Sequence, residues 1–155
     1  MLDIYKPNLD DLWFRENLMA DEDTMSYNKA WGGTIAFPKD KWQNWHQTWI
    51  EGSPFHNYYR YLYDTDSKNF VGEIAYHYDK KRKIHICNVI ILAKYRNKGF
   101  GAKGIQLLCT MAKQNGVLTL YDDIAADNQS YKLFLKNGFT IDYQNKEVVM
   151  VKKTL

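Results

Sequence analysis

The sequence is poor in cysteine and proline, and it contains no long apolar run. Its two cysteines, Cys87 and Cys109, fall in a strand-like and a helix-like segment, so we expect buried, reduced thiols and not a metal site. No apolar stretch approaches the roughly 20 residues that span a bilayer, and the N-terminus lacks the basic and apolar pattern of a signal peptide. These absences predict a soluble, cytoplasmic protein with no membrane partner.

A large excess of charge of either sign is also absent. The formal net charge of the 155 residues is only +3, which is too small to indicate a nucleic-acid partner by itself. Hydrophobic residues make up 45% of the chain and aromatic residues 15%, which is enough for a core and argues against disorder. Because no linker, repeat or break in composition divides the chain, residues 1–155 are predicted to form a single domain.

The first third of the chain is mainly helical in its spacing. Residues 2–5 form a candidate edge strand, and Asn8 is a candidate cap for a first helix. Residues 21–38 are polar and broken by glycine, which predicts a loop. The apolar stripe of the first helix would consist of Leu9, Leu12, Trp13 and Leu18. A second helix is predicted by tryptophans that recur on one helical face, namely Trp42, Trp45 and Trp49.

The period then changes to that of strands. Three runs rich in β-branched and aromatic residues, joined by short polar turns, predict an antiparallel meander over about residues 58–92. A helix from about residue 98 to 115, a buried strand, a short helix and a final hairpin complete the pattern. The resulting order, β-α-α-β-β-β-α-β-α-β-β, predicts an α+β domain with a mixed sheet.

The most informative stretch is a basic, glycine-containing turn between an apolar strand and a helix. A helix N-terminus leaves backbone N–H groups unpaired and carries partial positive charge. Two glycines without side chains let a bulky anion approach those N–H groups. The cationic side chains of Arg96 and Lys98 add full charge, and arginine can bind phosphate oxygens with two parallel hydrogen bonds. The turn Arg96-Asn97-Lys98-Gly99-Phe100-Gly101 therefore predicts a polyphosphate site.

Two other interpretations of this turn are possible. Residues 99–104 also spell the G-x-G-x-x-G of a dinucleotide site, with Asp122 near the position of a ribose-binding acid. That fold needs several more parallel strands after Asp122, for which the remaining chain is too short, and the preceding meander does not belong to it. A solvated strand–helix connection with no ligand is the commoner source of such a pattern when it stands alone.

Three motifs together resemble a known family. The turn from Arg96 to Gly101 is similar to the Q/R-x-x-G-x-G/A signature of the GNAT superfamily of acyl-CoA N-acyltransferases. Residues 130–139 resemble its second motif, a short helix that ends in Gly-Phe, and Val71-Gly72-Glu73 resembles its third strand. The motifs cover roughly residues 70–140, and the order of elements is similar over nearly the whole chain.

The resemblance implies a GNAT fold. Its central sheet is mixed, mostly antiparallel, of about seven strands, splayed between strands 4 and 5 and flanked by about four helices. The implied activity is transfer of an acetyl group from acetyl-CoA to a primary amine of a small molecule or peptide. The amine would attack directly in a ternary complex, without a metal. Family members are often dimers, so a homodimer is one expected assembly.

The resemblance also implies which residues hold acetyl-CoA. The pyrophosphate would lie on the basic turn, and the pantetheine would add itself as a strand beside Ile91, Leu92 and Ala93. A side chain at the start of the second-motif helix usually meets the pantetheine, and Asn128 is preferred to Asp127 because an amide both donates and accepts. The implied cofactor-binding residues are Ile91, Leu92, Ala93, Arg96, Asn97, Lys98, Gly99, Phe100, Gly101, Asn128 and Phe134.

The chemistry of the transfer indicates the remaining candidates. An alkylamine with a pKa around 10 must lose a proton, so a carboxylate or histidine is needed on the acceptor side. Glu73 is the first candidate base, Asp122 and Asp123 are alternatives, and each could equally be a structural carboxylate. The family usually has a tyrosine at Phe134 to protonate the leaving thiolate. Phe cannot do so, which leaves Tyr121, Tyr131 or no acid at all.

The acceptor is expected to meet aromatic side chains, whose ring faces attract cations. The candidate substrate-binding residues are Trp31, Trp42 and Glu73, whereas Trp45 and Trp49 are expected to pack a helix on the sheet. Two other classes of function stay open. A catalytically silent acyl-CoA-binding module is compatible with Phe134, and a single-strand nucleic-acid binder is disfavoured because the basic residues do not follow the aromatic strands.

Overall fold

The computed structural model describes residues 1–155, which form seven strands and four α-helices. The strands are β1 (Leu2–Tyr5), β2 (Asn57–Asp64), β3 (Asn69–Asp79), β4 (Ile84–Ile91), β5 (Thr119–Ala125), β6 (Thr140–Gln144) and β7 (Val148–Thr154). The α-helices are α1 (Trp13–Ala20), α2 (Trp42–Trp49), α3 (Phe100–Gln114) and α4 (Tyr131–Lys136). Short 3-10 helices occupy Leu9–Asp11, Thr24–Trp31, Lys39–Lys41 and Ala93–Tyr95. This order of helices and strands confirms the predicted α+β class.

All seven strands belong to one sheet, in the order β1-β2-β3-β4-β5-β7-β6. Strands β1 to β4 pair antiparallel as the predicted meander, and β5, β7 and β6 form a second antiparallel group. The two groups meet where β4 and β5 run parallel, and only His85–Leu120 and Ile86–Tyr121 are in register there. Beyond those two pairs the strands separate, which confirms the predicted splay and opens a gap in the sheet.

One face of the sheet is covered by α3 and α4. The largest core cluster lies there and includes the fully buried side chains of Leu62, Ile74 and Leu108. Helix α3 lies close to the sheet at Gly104, where an added Cβ would stand 3.0 Å from Leu62 and 3.1 Å from Val89. The last glycine of the G-x-G-x-x-G spelling is therefore explained by helix–sheet packing.

The opposite face is covered by α1 and α2 and is mostly aromatic. Its core includes Phe14, Leu18, Tyr59 and Tyr61. The predicted apolar stripe of the first helix is only partly correct, because Leu12 and Leu18 are buried while Leu9 is 40% and Trp13 48% exposed. The first turn is a separate 3-10 helix at Leu9–Asp11, and this shifts the buried face of α1 to Phe14, Leu18 and Met19.

The predicted loop over residues 21–38 contains the 3-10 helix Thr24–Trp31. The Asp21 carboxylate accepts hydrogen bonds from the Thr24 N–H (3.1 Å) and the Thr24 hydroxyl, and Gly32, with φ of 109°, ends the helix. The sequence of this segment has little helical periodicity. The segment is held in place by hydrogen bonds of Thr24 to Ala93 and Arg96. Cys87 and Cys109 are buried and unpaired, as predicted. No helix has both the length and the apolar character needed to cross a membrane.

Candidate active site

A cavity of about 700 Å³ opens where β4 and β5 separate. This volume lies within the usual range of ligand sites, roughly 300–1,000 Å³. The walls come from the ends of β4 and β5, the start of α3, the approach to α4 and the 3-10 helix of residues 24–31. Twelve residues named as candidates from the sequence line it: Trp31, Ile91, Arg96, Asn97, Gly99, Phe100, Gly101, Asp122, Asp123, Asp127, Asn128 and Phe134.

The turn before α3 presents a row of free backbone N–H groups to this cavity. None of the six N–H groups from Asn97 to Ala102 donates a hydrogen bond to the protein. Asn97 and Gly99 have positive φ angles, 63° and 84°, which helps successive N–H groups converge on one concave side. A Cβ added at Gly99 would meet nothing within 4 Å, so the approach is open. The turn has the geometry of an anion site.

The cationic side chains at this turn differ in their availability. The guanidinium of Arg96 donates to the backbone oxygen of Thr24 at 2.9 Å and lies 3.5 Å from that of Asp23. Arg96 therefore ties the turn to the 3-10 helix of residues 24–31, a role that the sequence did not suggest. Lys98 is exposed, outside the cavity lining, with its Nζ 5.9 Å from the Tyr95 ring centroid.

Of the three residues predicted to pair with the pantetheine, only Ile91 belongs to the free edge of β4, because the backbone N–H groups of Leu92 and Ala93 are bonded within the protein. The N–H of Leu92 donates to Val71 at 2.9 Å, and the N–H of Ala93 donates to the Thr24 hydroxyl at 2.9 Å. Their carbonyls accept from the N–H groups of Tyr95 and Arg96. Leu92 and Ala93 thus have no free backbone group to offer. Because Leu92 faces β3, strand alternation turns the backbone groups of Val89 and Ile91 toward the gap.

The approach to α4 supplies one amide and one apolar wall. The Asn128 Oδ1 accepts a hydrogen bond from the Ser130 N–H at 3.0 Å, which leaves its NH₂ group free to donate. Phe134 is buried and packs edge-on against Phe139 with ring centroids 5.0 Å apart, while its other side lines the cavity.

Two carboxyl groups near the cavity have altered acidity. Glu73 is 3% exposed and lies opposite Ile90, a cavity residue, in the β3–β4 ladder. Burial raises the pKa of Glu73, and the positive charge of Arg15 opposes that rise. Asp122 lines the cavity itself, and burial together with the Asp123 charge holds its pKa well above the usual range. Asp123 forms an ion pair with Arg82 at 3.3 Å.

Comparison with known proteins decides the family. Residues 16–139 match the family model described as the acetyltransferase (GNAT) family. The chain is a GNAT protein. The family identifies it as an acyltransferase of the N-acetyltransferase type, in agreement with the motifs at Arg96–Gly101 and Ser130–Phe139.

Individual relatives of this GNAT protein agree with the family. An uncharacterised N-acetyltransferase of Schizosaccharomyces pombe is 28% identical over 80 residues, which are 50% of this chain and 56% of the relative, so the match spans little more than half of that protein. The spermidine N-acetyltransferase of Vibrio cholerae, solved with CoA and spermine, has a TM-score of 0.78 at 18% identity, covering 99% of this chain and 95% of that one. The PaiA N-acetyltransferase of Thermoplasma acidophilum, solved with coenzyme A, has a TM-score of 0.75 at 14% identity, covering 100% and 99%. At these identities the likeness establishes the fold.

In this GNAT site the sequence did not indicate Tyr27. It belongs to the 3-10 helix of residues 24–31 and lines the cavity. The residue is 36% exposed as a whole, but the desolvation of its hydroxyl group against the cavity wall, and then the charges of Glu73 and Asp122, raise its pKa, so the hydroxyl keeps its proton. The segment was predicted to be a loop, and the sequence indicated only Trp31 within it as a site residue. Tyr121 and Tyr131 do not line the cavity, and Tyr121 lies where β5 pairs with Ile86 and Lys152.

The tryptophans of this GNAT protein divide between the cavity and the core. Trp31 lines the cavity and is 59% exposed. Trp42 does not reach the cavity, because its ring is buried beside Leu12 and Phe37 and its Nε1–H donates to the Phe37 oxygen at 3.1 Å. Trp45 packs edge-on against Tyr59 (4.7 Å) and stacks with Trp49 (6.1 Å), which is a packing arrangement.

Proposed function

We propose that this GNAT enzyme transfers an acetyl group from acetyl-CoA to a primary amine of a small molecule or peptide. The observation that carries the proposal is the row of six unpartnered N–H groups at residues 97–102, which opens on the cavity between β4 and β5. Two of its structural neighbours were solved with CoA, and one of these also with spermine, which supports a CoA site and an amine acceptor.

Acetyl-CoA is assigned to the cavity by the chemistry of its walls. The diphosphate takes the N–H groups of residues 97–102, with Lys98 adding charge from the solvent side. The pantetheine runs beside Val89 and Ile91, whose backbone groups face the gap, and meets the free amide of Asn128. The bound thioester supplies the acetyl group. Holding it next to the amine provides a large part of the rate, because the two reactants need not find each other.

Proton transfer is assigned to residues on the cavity wall and just behind it. Glu73 or Asp122 accepts the proton of the incoming ammonium, since burial raises the pKa of each toward that of a base effective near neutral pH. When the tetrahedral intermediate collapses and the C–S bond breaks, the second proton of the nitrogen passes to the departing thiolate. The protonated Tyr27 hydroxyl stabilises that thiolate by donating a hydrogen bond, which Phe134 cannot do. The amine attacks the thioester carbonyl directly, in a complex that holds both substrates.

The test is a panel of amines incubated with acetyl-CoA, read by thiol release and by mass of the acetylated product. We expect at least one amine to be acetylated with one thiol released per product. Calorimetry with CoA and with a single-stranded oligonucleotide runs alongside. CoA binding with no turnover of any amine would support the silent acyl-CoA-binding module instead. Oligonucleotide binding without CoA binding would contradict both.

A further inference from the structure

A buried polar cluster lies behind the acceptor end of the cavity. It consists of Arg15 on α1, Tyr59 on β2 and Glu73 on β3, and is called the Arg15 cluster below. The Arg15 guanidinium carbon stands 4.7 Å from the ring centroids of Phe37 and Trp45 and 5.6 Å from that of Tyr59. This aromatic enclosure fixes the guanidinium over the α1–α2 face of the sheet.

The hydrogen-bond donors of the Arg15 cluster have no partner. The Nε and Nη1 atoms of Arg15 and the hydroxyl of Tyr59 are buried, and none of them makes a hydrogen bond. Buried polar groups in folded proteins are nearly always paired, because an unpaired donor loses its hydrogen bonds to water without replacement. Three such donors side by side point to an acceptor group that comes from outside the chain.

Glu73 is a buried hydrogen-bond acceptor that has no strong donor beside it. Its carboxyl group is buried, which raises its pKa, and lies beside the Tyr59 hydroxyl, which lowers that pKa although the two groups are not within the 3.5 Å of a full hydrogen bond. The positive charge of Arg15 also acts on Glu73, but no cation lies within 4.0 Å of it. Arg15 is fixed near it, since the Arg15 N–H donates at 3.2 Å to the hydroxyl of Tyr61, the residue opposite Glu73 in the β2–β3 ladder. Arg15 and Glu73 are therefore a buried cation and a buried carboxyl group that are neighbours without a direct ion pair, an arrangement that leaves the desolvation cost of both groups poorly offset.

The Arg15 cluster does not line the cavity but lies directly behind its acceptor end. Glu73 is opposite the cavity residue Ile90, and the cavity residue Tyr27 feels the charges of both Glu73 and Arg15. The residues assigned to CoA, including Gly101 and Phe134, lie toward α3 and α4 on the other face of the sheet. An occupant of the Arg15 cluster is therefore the acceptor and not the nucleotide.

We propose that the acceptor is an amine that carries a carboxylate, as in an α-amino acid, and that Arg15 determines this specificity. The proposal rests on the transferase function above. Arg15 and Tyr59 donate to the carboxylate of the acceptor, and Glu73 faces its ammonium group. A polycation places positive charge beside Arg15, and a simple alkylamine leaves the three donors unpaired, so both are poorer acceptors.

The experiment uses matched pairs of amines that differ only in the carboxylate: phenylalanine with phenethylamine, tryptophan with tryptamine and leucine with isopentylamine, together with spermidine. Acetylation rates and binding to the CoA complex are measured. We expect kcat/KM to favour each carboxylate-bearing member by about tenfold or more, the usual size of a charge-assisted hydrogen bond in selectivity. Arg15→Met should remove that preference by lowering only the carboxylate series. Tyr59→Phe should lower the same series by a smaller factor.

The matched control is Arg60→Met. Arg60 lies on the opposite face of β2 from Tyr59, with its guanidinium carbon 4.5 Å from the Tyr58 ring centroid. The Arg60→Met variant therefore also removes a cation that stacks on an aromatic ring, but one that is not in contact with Glu73. Thermal unfolding and CoA affinity verify that each variant is folded. If Arg15→Met fails to fold, Tyr59→Phe carries the test.

The outcomes separate this inference from the transferase proposal. Equal rates within each pair, a preference for spermidine, or equal losses in both series in Arg15→Met overturn the inference while the transferase stands. Binding of carboxylate-bearing amines that Arg15→Met weakens, without acetylation of any amine, supports the Arg15 site and contradicts the transferase. If no amine of the panel binds or reacts, the inference is overturned.

Discussion

At the scale of single residues, the site depends on three groups whose protonation is shifted by burial. Glu73 and Asp122 hold their protons to higher pH than ordinary carboxyls, and Tyr27 stays protonated throughout the physiological range. The three lie around the proposed meeting point of the two substrates, and burial together with the charges of Glu73 and Asp122 raises the pKa of Tyr27. A change at one of them should therefore move the pH profile of the whole site.

Glu73→Gln should inactivate and stabilise the enzyme at once. Because the folded-state pKa of Glu73 is raised, the wild-type protein loses stability as pH rises above the unfolded carboxyl value of about 4.3. Gln mimics the neutral form, so the variant should be the more stable protein at pH 7, and this advantage should shrink as pH falls through the raised folded-state pKa of Glu73 and disappear below about 4.3. Urea unfolding at several pH values measures it. The proposed role fails if kcat is retained, in which case Asp122→Asn becomes the test of the base.

Tyr27→Phe should slow the transfer without weakening CoA binding. Loss of a positioned proton donor typically lowers the rate by about 10²-fold or more, whereas the diphosphate contacts are elsewhere. Single-turnover rates and calorimetry with CoA separate the two effects. Tyr131→Phe removes a tyrosine hydroxyl outside the cavity lining and should change neither quantity. Similar rates for Tyr27→Phe and the wild type would exclude the hydroxyl as an acid.

At the scale of elements, the 3-10 helix of residues 24–31 is joined to the phosphate turn through a single buried residue. Thr24 is fully buried; its hydroxyl accepts from the Ala93 N–H at 2.9 Å and its carbonyl accepts from Arg96 at 2.9 Å. The segment that carries Tyr27 and Trp31 is thus positioned by the same turn that is assigned to CoA. Acceptor and CoA sites share this connection.

Thr24→Val should loosen this connection. The substitution keeps the shape but leaves the Ala93 N–H buried without a partner, at a cost of about 1–3 kcal/mol in unfolding free energy. We expect KM for the amine to rise more than the Kd for CoA, because the six N–H groups of the turn are untouched. Urea denaturation and steady-state kinetics measure both. Ser26→Ala, which removes a more exposed hydroxyl on the same helix, is the stability control. An unchanged KM would show that Tyr27 and Trp31 are positioned by other contacts.

The elements differ in how well the sequence predicts them. The meander and α3 follow from strand and helix periods that are strong over many residues, and glycines mark the ends of α3 and α4. Residues 21–38 were predicted to be a loop, although they contain a 3-10 helix. The sequence does not reveal this helix because its apolar residues do not repeat at helical spacing, and because it is held by contacts of Thr24 and Asp21. The buried face of α1 differs from the predicted one because Leu9–Asp11 form a separate 3-10 helix, which changes the spacing of the residues that follow.

At the scale of the whole molecule, the sheet is two antiparallel groups joined by two register pairs, His85–Leu120 and Ile86–Tyr121. A ligand that lies along Val89 and Ile91 fills the gap and contacts both groups. The position of this gap could be predicted from the family motifs. Among the acceptor residues, Glu73 and Trp31 were candidates from the sequence. Arg15, Tyr27 and Tyr59 were not, because they are far from Glu73 in the chain and only the fold brings them together.

CoA should therefore raise the thermal stability of the whole chain. At a free concentration about 100 times its Kd, a ligand of the native state adds about 2.7 kcal/mol to the unfolding free energy. For a domain of this size that corresponds to a rise in Tm of roughly 5–10 °C. Differential scanning fluorimetry against CoA concentration measures the shift. The same concentration of adenosine, which lacks the diphosphate, is the ligand control.

Gly101→Val should lower this shift to about half or less. A Cβ at residue 101 would stand 2.8 Å from the Leu133 side chain, and the valine methyls reach into the space beside the free N–H groups. CoA affinity should fall by at least about tenfold, since the diphosphate then loses close contact with the backbone. A variant that is folded and still stabilised by CoA to the wild-type extent would contradict the placement of the diphosphate.

The distribution of indole rings has a practical consequence. All five tryptophans lie between residues 13 and 49, in the part of the chain that builds the α1–α2 face, and Trp31 alone among them lines the cavity. Excitation at 295 nm therefore reports only on this side of the molecule, and we expect Trp31 to account for most of the change in fluorescence when an amine binds. The native chain therefore reports occupation of the cavity through its own fluorescence, without an added label.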